Sequence, residues 1–130
     1  MSRITAERLL DTARAHLDRL TPESAHAAAQ DGALLIDIRS ELQRAADGVI
    51  PGSRFIARNV LEWRCDPASP WNDPIVSDSG ARLILICNEG YQSSLAAATL
   101  QQLGHVDATD VIGGFHAWKA AALPVRPLDQ

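Results

Sequence analysis

The stretch LILICNEGYQSS, Leu83 to Ser94, ends an apolar run on a cysteine and opens a glycine-containing loop behind it. From the residues alone Cys87 reads two ways: a small buried hydrophobe closing a strand, or a thiol presented at a sheet edge as a nucleophile. A nucleophile makes demands on the residues after it. Gly90 can take the positive φ that curls the backbone and turns successive N–H groups inward, toward an anion. A helix beginning about five residues after the cysteine places its N-terminus behind the loop, where it favours an anionic sulfur by roughly 0.3–1 kcal/mol, or about 2 if partly buried. The chemistry would be that of a nucleophilic sulfur cradled by the amides of Asn88, Glu89, Gly90, Tyr91, Gln92 and Ser93.

Such a loop needs a sheet to present it. Leu83–Cys87 and Ala33–Ile38 (ALLIDI) are apolar runs without clean alternation, the pattern of strands covered on both faces in a parallel sheet. Shorter strands are expected in IPGSRFI and TDVI. Helical segments alternate with them. Leu10, Ala13, Leu17 and Leu20 mark an apolar stripe and predict a helix over about residues 5–18. Thr21 and Pro22 are a cap and first-turn pair for a second helix that Gly32 ends, and ELQRAADG predicts a short helix stopped at Gly48. Ala96, Leu100 and Leu103 share a face of the helix behind the cysteine loop, and GGFHAWKAA closes the chain's helices before Pro124. Residues 64–80, with three prolines, are expected as a long surface loop. Strands alternating with helices argue for an α/β fold, a mostly parallel central sheet with helices on both faces. In such sheets ligands bind beyond the carboxyl ends of the strands, where Cys87 stands.

Composition narrows the function classes. The 130 residues suit one domain, 1–130, with the amphipathic helix within 1–20 and the motif-bearing core over 33–125. The net charge of -4, with eleven arginines and one lysine scattered among acids, argues against nucleic-acid binding. No apolar run approaches the roughly 20 residues of a membrane-spanning helix, and the amino end has no signal-peptide pattern, so a cytoplasmic protein away from membranes is expected. Cys65 and Cys87 are too few for a disulfide framework, and no His stands near them at ligand spacing, so each is expected as a free thiol, with no metal and no cofactor.

Three ordered motifs resemble those of the rhodanese-like family. LLIDIRSELQRAADGVIPGSRFI is similar to that family's early segment, with Asp37, Arg39, Glu41, Gly48, Ile50, Pro51 and Gly52 in place; CNEGYQSS is similar to its active loop; VIGGFHAWKAAALPV matches its closing motif through Gly113, Gly114, Trp118 and Leu123 to Val125. The resemblance implies a sulfurtransferase in which Cys87 accepts a sulfane sulfur as a persulfide and passes it on. Its partners would be a small-molecule sulfur donor, a thiol or cyanide-like acceptor, or a protein that accepts the sulfur. A catalytically silent relay or interaction module is the alternative.

The loop departs from that pattern. Gln92 stands where many single-domain members carry Arg, and Glu89 is acidic. A like charge at about 4 Å costs about 1 kcal/mol in water and about 4 at an effective dielectric of 20, enough to cancel the gain from the helix terminus. The departure bears on thiosulfate, a dianion, more than on sulfur transfer as such. Phosphatases of related fold use a loop one residue longer that ends in Arg, because a phosphoryl group needs a fixed bidentate cation; Ser93 and Ser94 stand there here. Arg58 and Arg64 are candidates to supply a cation from neighbouring loops, while Arg39 reads as the partner of a structural ion pair with Asp37. Cys65 is expected as a solvated bystander, His105 and His116 as surface residues, and Trp118 as core.

Overall fold

The computed structural model describes residues 2–129. Four parallel strands, β1 (Leu34–Asp37), β2 (Arg54–Phe55), β3 (Leu83–Ile86) and β4 (Thr109–Asp110), form one sheet in the order β2-β1-β3-β4. The central pair is in register from Leu34 opposite Leu83 to Asp37 opposite Ile86. Its side chains divide strictly between two cores. Ile36, Leu83 and Leu85 face one, completed by α4 (Leu61–Cys65) and α5 (Gln92–Gln102); Leu35, Ile84 and Ile86 face the other, with Ala25 of α2 (Pro22–Gln30) and Phe115 and Trp118 of α6 (Gly114–Ala120). Burial on both faces is why these strands carry unbroken apolar runs. Trp118 is fully buried, as expected, and its indole N–H donates to Pro124 O.

Local signals set most boundaries. Thr21 caps α2 through Ser24 N–H, with Pro22 in the first turn. Ser40 and Gln43 form a capping box on α3 (Glu41–Asp47), which ends at Gly48 with φ 89°.

Two expected segments differ. The helix over about 5–18 is α1, Ala6–Arg14, capped by Thr5. Beyond a turn at Ala15 and His16 the chain runs alongside β4: Leu20 N–H donates to Asp110 O, and Ile112 N–H to Leu20 O. Leu17 and Leu20 keep the apolar spacing of a helix because both turn toward the body of the protein, Leu20 from an extended backbone. The segment 64–80 is not wholly surface either. Its start belongs to α4, and Val76 is fully buried among Leu61, Cys65 and their neighbours, an apolar anchor that the prolines obscure in the sequence.

Candidate active site

The strand order reverses about β1: one crossover leads to β2 on one side, the next to β3 on the other. A crevice opens beyond the carboxyl ends of strands at such a point. Here it is a cleft of about 850 Å³ lined by Ile38 and Arg39 after β1, Glu41 to Gln43 of α3, Phe55, Ala57 to Asn59, and Cys87, Asn88, Glu89, Tyr91 and Gln92.

Cys87 lies at its base, 6% exposed. Gly90 N–H donates to its Sγ at 3.2 Å and Ser93 N–H at 3.3 Å, and the thiol donates to Ser93 Oγ at 3.2 Å. Amide donors are strongest toward an ionised acceptor, so this loop gains most from an anionic sulfur. Glycines make the curl possible. Gly90 has φ 87°, and a Cβ there would lie 2.8 Å from Gly113 N. A Cβ on Gly114 would lie 2.5 Å from Cys87 O, so the Gly-Gly pair lets α6 close on the loop, where Phe115 N–H donates to Cys87 O and His116 N–H to Asn88 O.

Behind the sulfur stands Asp110, fully buried at the end of β4. Its Oδ2 accepts from both Ser93 Oγ and Ser94 Oγ at 2.7 Å, and its carboxylate is forked by Arg19, Nε to Oδ1 at 2.8 Å and Nη2 to Oδ2 at 3.2 Å. Arg19 Nη2 also donates to Gly90 O at 3.0 Å, as does Arg14 Nη2 at 2.7 Å. Sequence reasoning missed Asp110, Ser94, Arg14 and Arg19. Asp110 did leave a signal: like Asp37, it is an acid at the carboxyl end of a parallel strand, here in register with Leu85, two residues before Cys87.

The cation candidates separate. Arg39 is the buried partner of Asp37, bound through Nε at 3.0 Å and Nη2 at 2.9 Å, and lies 3.7 Å over the Phe115 ring. Arg58 lines the cleft and is paired to Glu62 at 2.8 Å. Arg64 is exposed, donates to Trp71 O and is not part of the cleft. Glu89 is exposed at the rim, 3.9 Å from His116 Nδ1, and Tyr91 and Gln92 are exposed where α5 begins.

Two expectations are overturned. Cys65 is not solvated: it is fully buried on the core side of α4, and burial, with Asp73 and Glu62 nearby, pushes its thiol up to about 12. His105 is not at the surface; it is buried with Nε2 2.7 Å from Cys65 O, tying the turn after α5 to the end of α4. His116 is exposed, as expected.

Residues 21–121 match the family model of the rhodanese-like domain. A thiosulfate sulfurtransferase, GlpE, from Pseudomonas aeruginosa is 34% identical over 102 residues, 78% of this chain and 84% of that protein. Another from Haemophilus influenzae is 29% identical over 106 residues, 82% of this chain and 91% of that one. Among solved structures, a Rhodopseudomonas palustris protein of unknown function, described as a possible tyrosine phosphatase, is 32% identical, covers 97% of each chain and superposes with a TM-score of 0.89. No helix among the described residues is long and apolar enough to cross a membrane. The motifs, the parallel sheet and these relatives agree: the chain belongs to the rhodanese-like domain family and is an enzyme of the rhodanese sulfurtransferase type.

Proposed function

We propose that Cys87 is the nucleophile and sulfur carrier: it attacks the sulfane sulfur of a donor, the Sγ–S bond forms as the donor's bond to that sulfur breaks, and the electron pair leaves with the rest of the donor. A thiol or cyanide-like acceptor then attacks the outer sulfur and releases Cys87. The observation that carries this reading is the pair of amides, Gly90 and Ser93, converging on a sulfur at the base of an open cleft. Asn88, Glu89, Tyr91 and Gln92 complete the wall that a donor meets, with Arg58 opposite. Asp37, Arg39, Gly113, Gly114 and Trp118 hold the frame. Two free thiols suit a reducing, cytoplasmic setting.

A phosphatase reading finds no support in the loop. Ser93, where that chemistry needs a guanidinium fork, is a fully buried hydroxyl bonded to a carboxylate. A second reading, relay to a protein acceptor, is favoured by the rim, where Glu41, Glu89 and the 84% exposed Leu42 would meet a basic, partly apolar segment.

Steady-state sulfur transfer from thiosulfate and from mercaptopyruvate tests the proposal. Turnover of at least one donor is expected, lost in Cys87→Ser. Gln92→Arg and Glu89→Gln should each raise kcat/KM for thiosulfate, a dianion, by about 5- to 30-fold, or 1–2 kcal/mol, and for mercaptopyruvate, a monoanion, by less. If the wild type turns over neither donor and neither variant changes that, small-molecule transfer is wrong and the relay reading replaces it.

A further inference from the structure

The loop lacks a cation at Gln92 and carries an acid at Glu89, yet positive charge reaches it from behind. Arg14 and Arg19 both donate to Gly90 O, at 2.7 and 3.0 Å; Arg14 Nε also donates to Ser94 Oγ at 3.1 Å, and its guanidinium lies 5.7 Å from the Tyr91 ring centre. Both arginines precede residues 21–121, the part matched by the family model. They belong to a segment the body of the protein holds firmly: Gln101 Nε2 donates to His16 O, Thr109 Oγ1 to Asp18 O, and Leu20 pairs with Val111 beside β4. Arg19 spends its charge on buried Asp110. Among the described residues Arg14 meets a carbonyl, a hydroxyl and a ring rather than a carboxylate, so Arg14, Arg19 and Asp110 together leave one positive charge beneath the loop.

We propose that Arg14 and Arg19 are positioning residues for the sulfur site: they pin the Gly90 carbonyl outward, which keeps the neighbouring amides turned to Cys87, and Arg14 supplies from behind the positive potential that the loop, with Gln92 and Glu89, does not carry itself. The segment before residue 21 is then a working part of the active site. Phosphate-like or sulfonate-like oxyanions and anionic donors gain most from it, because a charge acts on an anion over distances at which it leaves a neutral molecule untouched.

The test rests on the nucleophilic Cys87 of the proposed function but not on sulfur transfer. Cys87 is alkylated with iodoacetate, an anion, and with iodoacetamide, its neutral analogue, and the ratio of the two rates is compared between proteins. Arg14→Gln should lower the iodoacetate-to-iodoacetamide ratio by about 3- to 10-fold, and Arg14→Lys should retain most of it. Adding Gln92→Arg to Arg14→Gln should restore the ratio, with a larger gain than Gln92→Arg gives in the wild type. A purely structural Arg14 would slow both reagents alike and leave the ratio unchanged. Arg14→Met, which keeps the aliphatic stem, stands in if Arg14→Gln does not fold. An unchanged ratio in a folded Arg14 variant overturns the proposal while leaving the role of Cys87 intact; failure of Cys87 to react with either reagent in the wild type would count against both.

Discussion

Ser93 makes two contacts that one proton cannot serve at once in the anionic state. With Cys87 as a thiol, the Ser93 hydroxyl accepts from Sγ and donates to Asp110. Once the sulfur is an anion, the hydroxyl is worth more turned toward it, and Asp110 still keeps Ser94 and Arg19. A hydrogen bond to a charged group contributes about 1.5–3 kcal/mol, so Ser93→Ala should lower kcat/KM by roughly 10- to 100-fold in steady-state assays; a value within about twofold of wild type would remove Ser93 from the chemistry. Cys65 gives a separate residue-scale test. Its folded thiol is raised to about 12 from 9.0, so it favours the folded state fully below about pH 9, and that contribution is lost as pH rises from there through about 12. Urea unfolding at about pH 8 and about pH 10 should show wild type losing more stability than Cys65→Ala over that interval. Equal losses would show that the Cys65 thiol ionises as readily folded as unfolded. The prolines and polar residues that follow Cys65 suggest solvent and conceal its burial: Val76, from later in the same segment, packs in its core, and His105 arrives from the turn after α5.

Among the elements, the three glycines at the meeting of the loop and α6 each stand where a Cβ would collide: at Gly90 with the backbone of Gly113 and Gly114, at Gly113 with Ala117, and at Gly114 with the backbone of Cys87 and Asn88. Gly114 is the strictest, with φ 61° and room for a Cβ only 2.5 Å from Cys87 O. Gly114→Ala should cost about 2–4 kcal/mol in urea unfolding and displace the loop, with activity falling further than stability alone explains. Normal stability and normal activity together would mean that α6 does not press on the loop. The glycine pair was legible as a motif, but its purpose was not, because close approach between backbones distant in sequence leaves no local pattern. The start of α2 was legible from its Thr21 cap and Pro22. The end of α1 was not. Leu17 and Leu20 continue a helical spacing while the backbone has already turned to lie beside β4, and periodicity cannot tell the two apart.

Across the whole molecule, function derives from the sheet order. Because β1 and β3 are neighbours at the reversal, Asp37 and Cys87 end side by side, and the first motif supplies one wall of the cleft that the second floors. The two strands were readable as apolar runs with polar carboxyl ends, but their adjacency was not, because it is set by the crossover from β2 over β1. The docking of residues 15–20 along β4 was not, since its hydrogen bonds are made by backbone and by side chains far along the chain, such as Thr109 with Asp18. Sulfur carried on Cys87 is the central claim, and the direct measurement is the intact mass of the protein after exposure to thiosulfate, mercaptopyruvate or glutathione persulfide, with peptide mapping of the product. One sulfur atom should be gained from at least one donor, mapped to Cys87, absent in Cys87→Ser and retained in Cys65→Ser. An unmodified Cys87 with every donor, or sulfur found on Cys65 instead, would contradict it.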